Sequence, residues 1–71
     1  MFMTPPSDGL TYAERTCLQL AARGLTLDAI AKQFGDSQDS VETYLASVRT
    51  KLMAHTTMEA VARALKLGLI A

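Results

Sequence analysis

Three consecutive residues, Gly35, Asp36 and Ser37, constrain the fold of this chain more than any other stretch. Gly35 follows an apolar-periodic segment where a helix terminator belongs, because glycine turns left-handed at the end of a helix without a steric penalty. Ser37 stands where the next segment needs an N-cap, its hydroxyl able to satisfy a free backbone N–H of the first turn. With Asp36 alone between stop and start, the two helix axes must cross sharply rather than run antiparallel. That is the geometry of a helix-turn-helix.

The same punctuation divides the rest of the chain. Thr11 followed by Glu14 has capping-box spacing and opens a first helix, on which Glu14, Cys17, Leu18, Ala21 and Ala22 share a face before Gly24 stops it. Thr26 caps a short second helix from Leu27 to Phe34, with Asp28 favourably placed against the dipole and Ile30, Ala31 and Phe34 on its apolar side. The third helix is predicted from Gln38 to about Met53, with Val41, Leu45, Val48 and Leu52 as one buried stripe. After a turn at Ala54 and His55, Thr56 and Glu59 repeat the capping-box spacing. They open a fourth helix that runs to Leu67 and ends at Gly68, with Met58, Val61 and Leu65 expected to bury against the first and third helices.

No stretch alternates with a period of two over five or more residues, so the reading is all-α, a four-helix bundle containing a helix-turn-helix and no winged strands. Residues 1–9, with paired prolines followed by Ser, Asp and Gly, read as a flexible leader, and residues 10–71 as the folded unit. Seventy-one residues hold a single small core.

Seven Lys and Arg balance seven Asp and Glu, so no global positive field draws the chain toward nucleic acid or an anionic membrane. Affinity for a polyanion must come from local placement. The single Cys17 cannot close an intrachain disulfide, and neither a signal-peptide pattern nor a long apolar run is present, which points to the cytoplasm. Cys17 reads as core packing rather than a redox sensor, and His55 as a surface or capping residue, since one imidazole makes no metal site. One His, one Cys and no usefully spaced carboxylate pair supply neither a nucleophile and base nor a metal centre. No catalysis, cofactor, metal or small-molecule site is expected.

The outward face of the third helix is small and hydroxylated: Asp39, Thr43, Ala46, Ser47 and Thr50 lie opposite the buried stripe, with Glu42 and Arg49 on one flank. From Asp36 to Leu52, two cations (Arg49, Lys51) stand against three acids (Asp36, Asp39, Glu42), a net charge of minus one. Asp36 and Asp39 fit helix initiation. Glu42 fits either acceptance of a hydrogen bond from a cytosine amino group or an ordinary solvated surface charge. Cations from elsewhere, Lys32 among them, are candidates to offset these acids.

LTYAE at the start of the first helix, AARGLTLDAIAKQFGDSQDSVETYLASVRTKL through the middle and EAVARALKLGLI at the end resemble the LuxR-type, or GerE-like, helix-turn-helix domain of bacterial transcription regulators. The likeness runs from Leu10 to Ile70. It implies four helices, the second and third forming the helix-turn-helix, the third lying in the major groove and the fourth commonly forming a dimer contact. Most such domains follow a receiver or ligand-binding domain. The short leader here implies a stand-alone regulator, controlled through the module itself or its abundance. The departures concern charge: Ala13 and Ala29 replace a usual Arg and Glu, Glu42 replaces Lys, Tyr44 replaces His, and Thr57 stands where Arg is common.

By that resemblance Glu42, Thr43 and Ala46 are the base-facing positions, with Gln38, Ser40 and Ser47 adjacent. Arg49, Thr50 and Lys51 are candidates for phosphate, or else form an ordinary solvated helix end. Replacing a groove-facing cation by Glu42 costs about 2 kcal/mol of DNA affinity. The Tyr44 ring is expected at the core edge with its hydroxyl in water. Met58, Ala62, Leu65, Leu67 and Leu69 are the dimer-interface candidates.

Two functions follow. The first is a regulator that binds duplex DNA through the third helix, as a homodimer. The second is an interaction module that keeps the fold with weak or no DNA binding, such as an antagonist pairing with a full-length LuxR-type relative.

Overall fold

A computed structural model describes residues 9–71. The predicted leader, apart from Gly9, lies outside the described residues. Four helices follow in order: α1 (Tyr12–Ala22), α2 (Leu27–Phe34), α3 (Gln38–Lys51) and α4 (Thr57–Leu67), with no strand among the described residues. The all-α, helix-turn-helix reading holds.

Each helix begins at the hydroxyl its sequence announces. Thr11, Thr26, Ser37 and Thr56 accept from the backbone N–H three residues on, in Glu14, Ala29, Ser40 and Glu59. At α1 the capping box is complete, because Thr11 N–H donates back to Glu14 Oε1 at 2.9 Å. At α4 only the hydroxyl half forms. Glu59 reaches one residue further and accepts from His55 N–H at 2.7 Å, while also binding Arg63 at 3.0 Å.

α1 and α3 each pack against every other helix, whereas α2 and α4 do not meet. Cys17, Leu18, Ile30, Val41 and Val48 are the largest side chains fully withdrawn from solvent. The α3 stripe is as the spacing requires, with Val41, Leu45 and Val48 buried and Leu52 half-buried against the core. On α1, Glu14, Cys17 and Leu18 of the expected face are buried and Ala21 and Ala22 half-buried, and Leu20 is buried as well.

The face of α4 differs from expectation. Ala60, Val61 and Ala64 are buried, while Met58 is 70% and Leu65 48% exposed. The helix is rotated by roughly a quarter-turn relative to the Met58, Val61, Leu65 pattern. Two alanines let the α4 backbone approach α1 and α3 closely, which longer side chains at those positions would prevent.

α3 ends at Lys51, two residues before the expected Met53, with Leu52 as its cap. Met53 follows with φ 55°, the one non-glycine residue at positive φ among those described. After α1, α2 and α4 the left-handed residue is Gly24, Gly35 or Gly68. A side chain at such a position costs about 1 kcal/mol or more.

Candidate nucleic-acid interface

The second helix of the motif, α3, carries the candidate surface. Its buried stripe fixes the rotation of the helix, so the side chains opposite it must project outward. Asp39, Glu42, Thr43 and Thr50 are exposed, and Ala46 is half-buried between them. Thr43 Oγ1 donates to the Asp39 carbonyl at 3.0 Å. That bond ties the hydroxyl to the helix backbone. The Thr50 hydroxyl has no protein partner among the described residues, although its carbonyl accepts from Met53 N–H at 3.2 Å.

The two flanks of α3 are joined to neighbouring helices. At its start, Gln38 Nε2 donates to Asp28 Oδ1 of α2 at 3.0 Å, and the Ser37 hydroxyl donates to Ser40 Oγ at 3.1 Å. Asp36 accepts from Ser37 N–H at 2.7 Å and from the Tyr44 hydroxyl at 2.9 Å. The Ser37 N–H first, then Tyr44, hold the Asp36 carboxyl below the usual carboxylate range, and in return Asp36 raises the Tyr44 phenol. Tyr44 sets its ring edge-on to Phe34, centroids 5.9 Å apart, so the ring sits at the core edge as expected. Its hydroxyl is bound to Asp36 rather than left to water, because the tight turn brings that carboxylate within reach.

Both α3 cations have internal partners. Arg49 binds Glu42 Oε2 at 3.3 Å through Nη2 and Thr57 Oγ1 at 3.0 Å through Nη1, linking the helix to the start of α4. Lys51 Nζ donates to Glu14 Oε1 at 2.7 Å and to the Gly9 carbonyl at 2.9 Å. Glu14 is only 6% exposed. Burial pushes its pKa up, but hydrogen bonds from Lys51, Ser47 and the Thr11 backbone, together with the Lys51 charge, outweigh that effect and hold it at about 2, from an ordinary 4.5. Lys32 pairs with Asp28 of its own helix at 3.3 Å.

The opening acids of this segment thus have local occupations. Asp36 binds the turn, Asp39 stands in the first turn of α3, and Glu42 neutralises Arg49. Burial, and next the Asp36 charge, push the Cys17 thiol up, which keeps it in the unreactive protonated form.

The dimer candidates divide into groups. Met58, Ala62 and Leu65 follow one another along a single exposed strip of α4. Leu67 lies on the other flank, lining a groove with Lys51, Leu52, Met53, Arg63 and Lys66, and Leu69 is half-buried on the core. Sequence reasoning passed over this groove, because Met53 reads as the last residue of a helix and Arg63 and Lys66 as solvated charges. Among the described residues no helix is long and apolar enough to cross a membrane.

The sequence matches a family of bacterial regulatory proteins, the luxR family (GerE), over residues 8–64. No curated protein matches the chain. Among solved structures, the transcription factor GerE superposes with a TM-score of 0.83 at 27% identity, covering 87% of this chain and 92% of GerE. The phage VqmA–DPO complex superposes with a TM-score of 0.81 at 29% identity, covering 93% of this chain and 30% of VqmA.

Proposed function

Because the chain belongs to the luxR family of bacterial regulatory proteins, we propose that it is a transcription regulator in the cytoplasm whose α3 enters the major groove of duplex DNA. One observation carries this reading: the outward strip of α3 exposes Asp39, Thr43 and Thr50 with the small, half-buried Ala46 between them, along a helix braced from both sides. Thr43 and Ala46 offer methyl groups for thymine, Glu42 an acceptor for a cytosine amino group, and Gln38 and Ser40 adjoin them. Arg49 and Thr50 serve the phosphates, and Lys51 contributes there to the extent that it leaves Glu14. Ser47 supports the face from the α1 side.

Affinity for arbitrary DNA is modest under this reading, because Arg49 meets a phosphate only in exchange for Glu42. The exposed strip of Met58, Ala62 and Leu65 supplies the twofold contact of a homodimer, a closed and self-complementary pairing. The test is titration of duplex DNA across a salt series. Binding at low salt that weakens with a slope of about two to three phosphates supports the regulator. No binding at low salt, or none of the salt dependence, removes it.

The internal commitment of both α3 cations favours a second reading, a module that keeps this fold and pairs with a full-length LuxR-type relative through α4. Stoichiometric co-purification with such a protein, together with absent DNA affinity, would establish it.

A further inference from the structure

We propose that the groove between the end of α3 and the last turns of α4 docks an acidic, amphipathic helix of another protein. The inference does not depend on what α3 binds. The groove is open, about 240 Å³, and lined by Lys51, Leu52, Met53, Arg63, Lys66 and Leu67. Its apolar wall is exposed: Met53 is 81% and Leu67 64% accessible. Its rim is basic. Lys66 has no partner among the described residues, and Arg63 uses Nη2 on Glu59 at 3.0 Å while remaining half exposed. Lys51 sends its ammonium away to Glu14 and leaves its methylene stem in the wall.

Met53 is a second and independent observation. The other three helices are followed by a left-handed glycine, whereas here the same conformation carries a large apolar side chain that stays 81% exposed. A strained backbone that holds an apolar group in solvent is the outlier from which a functional contact is inferred.

Charge selects the occupant. A second copy with a twofold axis through the groove would set Lys66 and Arg63 against their own counterparts, and a heterologous self-contact would build a ring or a filament rather than a closed pair. A nucleic acid backbone would satisfy the rim and leave Met53 and Leu67 wet. A helix with leucines on one face and glutamates flanking them satisfies both parts of the groove.

The test uses the full chain, isotope-labelled, with three probes: a helical peptide of leucine face and glutamate flanks, the same peptide with lysine for glutamate, and a short duplex DNA. The glutamate peptide should shift the backbone amides of residues 52–53, 63 and 66–67, and the lysine peptide should not. Lys66→Glu should weaken binding at least about tenfold. Met53→Gly should weaken it several-fold while the fold, checked by circular dichroism, is retained. Five results would overturn the proposal: no shift at these residues up to about 1 mM peptide, equal binding of both peptides, binding indifferent to both substitutions, DNA displacing the peptide from the same amides, or concentration-dependent shifts there in the peptide-free protein.

Discussion

Glu14→Gln isolates the one buried charge among the described residues. The substitution keeps the shape, and the amide oxygen can still accept from Thr11 N–H, so the α1 cap survives in outline. What is lost is the negative charge facing Lys51 Nζ at 2.7 Å. Displacement of the Glu14 pKa from 4.5 to about 2 corresponds to about 3 kcal/mol of stability, at roughly 1.4 kcal/mol for each pH unit. Lys51 is 36% exposed, and water screens its side of the pair. The working expectation is therefore about 2 kcal/mol at neutral pH.

The sign fixes the pH window. Glu14 is more acidic folded than unfolded, so its contribution is present above pH 4.5 and is lost as pH falls through about 2. Urea unfolding of both proteins, followed by circular dichroism, should show the variant weaker by about 2 kcal/mol near neutral pH, with the gap closing below about 0.5 kcal/mol near the folded pKa. A gap of the same size at both pH values would mean that shape rather than charge is at stake. No gap near neutral pH would mean that the pair is balanced by its own desolvation.

Glu42→Lys removes the partner of Arg49 and adds a cation on the flank of α3. Duplex affinity at low salt should rise about tenfold or more, and the salt slope should steepen by about two phosphates; an unchanged slope would show that position 42 does not face DNA. Met53→Gly relieves the left-handed strain but loosens the unfolded chain, for a net gain of about 0.5–1 kcal/mol, a rise of several degrees in Tm. A fall in Tm would place the Met53 side chain in packing contacts. Asp36→Asn should lower the Tyr44 phenol pKa toward its ordinary value in an ultraviolet titration of the phenolate. No movement would break the proposed link between turn and ring.

Local chemistry is legible in the sequence. All four N-caps, the Gly35 turn and the α3 stripe depend on residues within four positions of one another, and each formed where its spacing required. The face of α4 was not readable, because its rotation is set by how closely Ala60 and Ala64 allow α1 and α3 to approach. Long-range pairings were equally hidden. Lys51 and Glu14 are 37 residues apart, and no periodicity connects them. At the candidate interface, sequence spacing found the outward strip of Thr43, Ala46 and Thr50, but not the internal engagement of the cations beside it. Met53 carried no signal, since the left-handed position is announced by glycine elsewhere in the chain.

The far end of the described chain is clasped rather than loose. The Gln19 side chain donates to the Ala71 carbonyl at 2.8 Å and accepts from Ala71 N–H at 3.1 Å, imitating a backbone pairing from the middle of α1. Beside it, Ile70 is buried in the core. A pull applied at Ala71 would therefore be shared between the backbone leading back to the fourth helix and the Gln19 side chain of the first. An isotope-exchange experiment should find the Ala71 amide slower than an amide open to water, and Gln19→Ala should release it.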